Sequence, residues 1–263
     1  MTKPFVTRSI ALAIAFLLGP AAAAPAQQGW GDIKGQVIFG PAKIPAMPDA
    51  NVDKDKEACL AKGPIKTDDL IVGPKTRGVK YVLVFLQDLK DSRKHDFAPP
   101  VHPKLQKFPK QVVIDQPCCT FEPRVVALRE GQELVVKNPM KIADSFKIEW
   151  RDGGPNVNLN IPAGDKVTLK GFAAKATATP YSCPAHGWMK GHAFSFKHPY
   201  FAVTDKDGRF DIKNAPSGKY RLVFWHEKDG WVVMKGRDLG LVIQIKAGQT
   251  TKIGPVKLTP PKG

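Results

Sequence analysis

Beyond its first twenty residues this 263-residue sequence has no apolar run long enough to span a bilayer, which excludes a polytopic membrane protein. Long helices are excluded by the 23 glycines and 24 prolines, which interrupt helical segments wherever they fall. Acidic residues are the scarcer sign: 24 Asp and Glu stand against 40 Lys and Arg, and the formal charge of +16 draws the surface toward anionic partners. Only four cysteines occur, Cys59, Cys118, Cys119 and Cys183. In an oxidising compartment they allow two disulfides in three connectivities; with Cys183 as a metal ligand, one disulfide at most forms and one thiol is left over. No histidine lies between His102 and His186, and there is no low-complexity tract or tandem repeat. Disorder is excluded by the 43% hydrophobic content, which suffices to bury one large core or two smaller ones.

The N-terminus sets the compartment. Lys3 and Arg8 precede an apolar run from Ile10 to Gly19, and small residues then lead to Ala24-Pro25-Ala26. This pattern predicts a signal peptide over 1–26, cleaved before Gln27, and therefore export to the periplasm, cell envelope or medium with no stable membrane span afterwards. Without Lys3 and Arg8 the chain keeps 38 basic against 24 acidic residues, near +14. Export argues against nucleic acid as the partner and favours an acidic redox protein or an anionic envelope polymer.

The periodic segments that follow are short and rich in Val, Ile and Phe. Strands are expected at 33–39, 79–86, 111–114, 125–128, 133–136, 146–150, 166–170, 194–196, 201–204, 209–212, 220–225 and 241–245. Turns at Asp205-Lys-Asp-Gly208 and Lys228-Asp-Gly230 use glycine for positive φ and are expected to close hairpins. Many short strands bounded by turn residues predict an all-β sandwich architecture. Two stretches, 41–78 and 91–110, are irregular; the second reads as a charged, proline-stiffened connector. His95 and His102 fall in or beside it and read as solvated, whereas His198 and His226 flank aromatic strands and read as structural.

Cys183-Pro-Ala-His186-Gly-Trp-Met189 places a thiolate, an imidazole and a thioether on one tight loop, and these ligand types suit copper. One short loop cannot surround a metal, so a further ligand must come from another strand. A nucleophile–base pair of Cys183 and His186 is a weaker reading, because no orienting third group or oxyanion donor accompanies it.

Phe121-Glu-Pro123, Gly131-Gln132, Val136-Lys-Asn138 and Tyr181-Ser-Cys183-x-x-His186-x-x-Met189-x-Gly191 together resemble the cupredoxins, and the compact loop is most similar to that of amicyanin. The resemblance covers about 111–197 and implies a Greek-key sandwich with one copper ion. It also implies a first histidine ligand six residues after Asn138, where this chain has Asp144 followed by Ser145. The implied metal set is Asp144, Cys183, His186 and Met189, with a metal-free, decayed site as the alternative. His192, three residues past Met189 on an extended segment, points away.

The last 63 residues, with Thr204-Asp-Lys-Asp-Gly208-Arg-Phe210 and Pro216-Ser-Gly218-Lys-Tyr220, resemble the transthyretin-like, carboxypeptidase-regulatory sandwich. Its opening Gly-x-Val strand is absent just upstream of residue 200, but Gly31-Asp-Ile-Lys-Gly35-Gln-Val-Ile-Phe39 fits it, and Val79 to Phe85 fits the next strand. The expected layout is therefore a split sandwich of 27–108 and 199–263 with a cupredoxin-like domain, 109–198, inserted at a surface turn. The whole chain is also similar to exported bacterial cupredoxin-like proteins of the methylamine-utilisation-like kind. In these a Cys-x-Phe-x-Pro-His stretch is usual; Cys119-Thr-Phe-Glu-Pro123 keeps it except that Arg124 replaces the histidine. The functional expectation is a non-enzymatic copper-binding or electron-transfer protein, or a metal-free envelope module that holds glycans or proteins. Cys59 is expected to pair with Cys118 or Cys119, because its irregular segment has little apolar content to hold it down.

Overall fold

The computed structural model describes Met1 and residues 29–90, 96–235 and 238–260. The expected signal peptide, apart from Met1, lies outside the described residues, as does His95. In chain order the strands are β1 (Trp30–Phe39), β2 (Leu83–Gln87), β3 (Gln111–Asp115), β4 (Val125–Arg129), β5 (Glu133–Lys137), β6 (Asp144–Glu149), β7 (Asn156–Ile161), β8 (Lys166–Leu169), β9 (Lys175–Ser182), β10 (Lys190–Phe196), β11 (Phe201–Val203), β12 (Arg209–Pro216) and β13 (Gly218–His226). The short strands β14 (Gly230–Trp231), β15 (Val233–Lys235), β16 (Asp238–Leu239), β17 (Leu241–Ile245), β18 (Thr250–Lys252) and β19 (Val256–Leu258) follow. The only α-helix among the described residues is the single turn α1 (Lys56–Cys59).

The fold is an all-β sandwich architecture. One pair of sheets has the orders β3-β5-β8 and β4-β10-β9-β6-β7. Ile114, Leu134 and Val136 on the first pack against Phe146, Ile148, Tyr181 and Ala193 on the second. The other pair joins β12-β1-β18, with β19 also on β1, to β11-β2-β13-β14, with β17 on β13. Ile33 and Val37 there face Val84, Leu222 and Phe224. The strand at 30–39 thus pairs with Arg209–Pro216, Thr250–Lys252 and Val256–Leu258, as its Gly-x-Val pattern predicts.

Alternation along β2 explains how the two pairs stack. Val84 and Leu86 enter one core, while Leu83 and Phe85 point the opposite way and meet Val125, Phe194, Phe196, Val223 and Trp225 in a third cluster. Buried on both faces, β2 reads as an unbroken apolar run and not as an alternating one. The same junction encloses Arg124, whose Nε and Nη2 donate to Glu227 at 2.6 and 2.9 Å and whose Nη1 donates to Asp68.

Two local expectations are corrected. The Gly208 turn has φ +72° and is closed by Asp205, but it links β11 and β12 in different sheets and forms a corner, not a hairpin. A Cβ on Gly208 would lie 2.1 Å from the Val37 carbonyl oxygen, which is why the corner needs glycine twice over. His102 is half-buried: its ring packs edge-on against Trp30 and its Nδ1 accepts the Lys104 N–H, capping a short 3-10 turn. By contrast the Gly230 turn does close a hairpin, β13 to β14.

Candidate metal centre

Strand ends gather the site. Asp144 opens β6, and its approach is fixed by Asn138, whose Nδ2 donates to the carbonyls of Ile142, Ile161 and Pro162 while its Oδ1 accepts the Met140 N–H. Cys183 follows β9 directly, and the loop after it is closed by Met189 N–H to the His186 carbonyl at 2.9 Å and Cys183 N–H to the Met189 carbonyl at 3.1 Å. The loop is therefore held by its own backbone, which preorganises its side chains.

Asp144, Cys183 and His186 meet, with one ligand atom of each within 4.8 Å of the others, and all three are buried. The Cys183 thiol donates to Asp144 Oδ1 at 2.8 Å, and His186 Nδ1 lies 3.2 Å from the same oxygen and 3.7 Å from the sulfur. Burial, then the neighbouring Asp144 carboxylate, push the Cys183 thiol up to about 11. Asp144 Oδ1 also accepts the Ser145 N–H, whereas its Oδ2 is buried with no hydrogen-bond partner among the described residues. Met189 is 2% exposed and belongs to the same core as Cys183.

The far side of His186 is lined by residues of the irregular 41–78 segment. Cys59 and Cys119 form a disulfide, Cα to Cα 5.3 Å, which ties α1 onto the loop that carries Phe121. His186 Nε2 stands 2.9 Å from Asp55 Oδ2 and 3.9 Å from Cys59 Sγ. Trp188 covers the ring face at 4.9 Å and donates to the Cys119 carbonyl. His186 is thereby fully buried, its Nδ1 toward Asp144 and Cys183 and its Nε2 toward Asp55 and the disulfide. Asp55 has no sequence signature of its own; only its place four residues before a disulfide cysteine hints that it reaches the site. Cys118 and Cys183 are the free thiols.

Several histidines and Arg124 lie elsewhere. His192 faces the junction, with Nδ1 3.5 Å from Glu227 and its ring against Trp225, so it points away from the site. His198 and His226 are buried, and desolvation lowers them to about 3 and about 4. Arg124 is committed to Glu227 and Asp68.

No protein-family profile and no curated relative matches the chain. Similar solved structures include a Cu-containing nitrite reductase from Thermus scotoductus SA-01, 16% identical with a TM-score of 0.31, covering 40% of this chain and 29% of that one. They also include amicyanin from Paracoccus versutus, 14% identical with a TM-score of 0.28, covering 34% of this chain and 86% of that one. An oxidised amicyanin variant is 15% identical with a TM-score of 0.28 over 37% of this chain and 91% of that one. Less than a third of the nitrite reductase is spanned, and the likeness concerns the cupredoxin-like fold alone. The expectation of a non-enzymatic protein is corrected here: a nitrite reductase, an enzyme, stands among the structural neighbours. The physical reason is that a fold does not fix function: an all-β sandwich sets no bar to catalysis, which the side chains of a site decide. No helix among the described residues is long and apolar enough to cross a membrane.

Proposed function

We propose that this is an exported copper-binding protein of the electron-transfer type, with one copper ion held in a modified type-1 site by Asp144 oxygen, Cys183 sulfur, His186 Nδ1 and Met189 sulfur. The observation that supports this most is the buried convergence of Asp144, Cys183 and His186: Oδ1 of Asp144 meets the thiol and the imidazole Nδ1, while Oδ2 of the same carboxylate is buried without a hydrogen-bond partner among the described residues. A buried carboxylate oxygen without a donor is unfavourable by about 1–3 kcal/mol, and a cation at that point relieves it. When bound, copper supplies one-electron redox chemistry. The chain's own residues set its surroundings. Asp55 accepts from Nε2 and so fixes the tautomer that leaves a lone pair on Nδ1. Asp144 supplies a harder, anionic ligand than imidazole, and burial excludes water.

In this reading residues 27–108 and 199–263 form a transthyretin-like sandwich that carries the 109–198 domain as an insert, and the signal peptide sends the protein to the periplasm or envelope. The basic surface then meets an acidic redox protein or an anionic envelope polymer, not nucleic acid. A metal-free envelope module is the second reading. It is favoured by the Cys183–Asp144 hydrogen bond, which satisfies the thiol without a cation. Metal analysis and copper titration of periplasmically expressed protein decide between them. The copper reading expects one ion per chain in the parent and none in Cys183→Ala; an apo parent that takes up no copper establishes the metal-free reading.

A further inference from the structure

The disulfide beside His186 is itself placed as a ligand set. Cys59 Sγ, Cys119 Sγ and a ring nitrogen of His186 lie within 4.8 Å of one another, and the three residues are 0 or 1% exposed. Two thiolates about 2.3 Å from a tetrahedral metal stand roughly 3.8 Å apart, with an imidazole nitrogen slightly nearer. Cys59 Sγ is already 3.9 Å from His186 Nε2, so the main adjustment is the separation of the two sulfurs. Asp55 Oδ2, 2.9 Å from the same nitrogen, stands where a fourth, oxygen ligand would come. Its side chain is 39% exposed, which puts the group one layer beneath the surface, under the exposed residues of α1.

We propose that the Cys59–Cys119 disulfide is the closed form of a second, redox-gated metal site, which on reduction binds one soft, thiolate-preferring cation through Cys59, Cys119 and His186 Nε2. The reductant is a dithiol. It passes two electrons and two protons to the disulfide, the sulfur–sulfur bond breaks, two cysteine thiols form, and the reductant closes its own disulfide. Cation binding then releases the two thiol protons to solvent, while the imidazole stays neutral: its proton moves from Nε2 to Nδ1, which faces Asp144 Oδ1 at 3.2 Å. The site uses the ring nitrogen opposite the Asp144–Cys183 group. It does not rest on the copper reading above, and its test removes Cys183.

Cobalt(II) is the probe, because thiolate ligation gives it a charge-transfer band and tetrahedral geometry gives it intense visible bands. In Cys118→Ser/Cys183→Ala the only thiols left are those of Cys59 and Cys119. That protein, reduced by a dithiol and desalted without oxygen, is expected to bind one cobalt(II) with both signatures. Without reduction it is expected to bind none, and adding His186→Ala should weaken binding at least tenfold and change the band envelope. Far-ultraviolet circular dichroism and a thiol titration establish that the protein is folded and carries two thiols. Given both, absent thiolate–cobalt bands overturn the proposal, and so does an unchanged spectrum and affinity after His186→Ala.

Discussion

At the residue scale, burial decides what each polar group does. Arg124 is 6% exposed and lies between Glu227 and Asp68, where burial pushes both carboxyls up. For Glu227 the nearby His192 and the hydrogen bonds from Arg124 outweigh burial and hold it at about 2, whereas for Asp68 burial prevails over Arg124. Removing the guanidinium leaves two partly buried carboxylates unpaired, so Arg124→Met is expected to lose about 2–4 kcal/mol in denaturant unfolding. A loss below 1 kcal/mol would mean that water replaces it. The buried histidines give a pH dependence. His198 near 3 and His226 near 4 both lie below the ordinary 6.5, so between those values the unfolded chain binds more protons than the folded one. Stability then falls as pH drops below about 6.5. The thermal midpoint should decline from pH 6.5 to 4, and less steeply in His198→Asn, which keeps a polar partner for the Tyr200 N–H. Parallel slopes would show that His198 is not a source of the decline.

At the element scale, the legible parts were those with a repeating local signal. β1, β13 and β17 stand out by β-branched and aromatic content, and the ligand loop by its Cys-x-x-His-x-x-Met spacing. β7 was not legible: Asn156-Val-Asn-Leu-Asn-Ile161 alternates, but asparagine is a poor strand former and is tolerated there through pairing with β6. β9 was hidden in part by Pro180 and its alanines. The segment around α1 has no periodic signal because the disulfide, not an apolar face, holds it down. Cys59 and Cys119 are 60 residues apart, a loop for which closure entropy gives about 4 kcal/mol. Cys59→Ser/Cys119→Ser should lose stability on that order. It should also become sensitive to trypsin at Lys54, Lys56 and Lys62, which are exposed but tethered in the parent. Cleavage at equal rates in both proteins would refute the tether.

At the scale of the whole molecule, the two pairs of sheets share an apolar junction. Leu83, Phe85 and Trp225 on one side meet Val125, Phe194 and Phe196 on the other, and the Arg124–Glu227 pair lies beside them. Sequence placed the pieces in order, yet the junction was not legible, because both of its faces look like ordinary strand interiors until the sheets stack. Cores joined in this way should unfold together. Calorimetry is expected to give one transition whose calorimetric and van't Hoff enthalpies agree, and two resolved transitions would show independent sandwiches. The junction also accounts for the buried guanidinium of Arg124: its partners, Asp68 and Glu227, come from the chain segments before and after 109–198.

The central claim is that Asp144, Cys183 and His186 form a copper site in which a carboxylate occupies the place of a histidine. Visible absorption of Asp144→His after addition of copper(II) tests it most directly. The parent should show a thiolate-to-copper band through Cys183, and restoring imidazole beside Cys183 and His186 should intensify and shift that band. No such band in either protein, with the Cys183 thiol shown to be free, would contradict the claim and leave the sandwich with a loop that only resembles a copper ligand set.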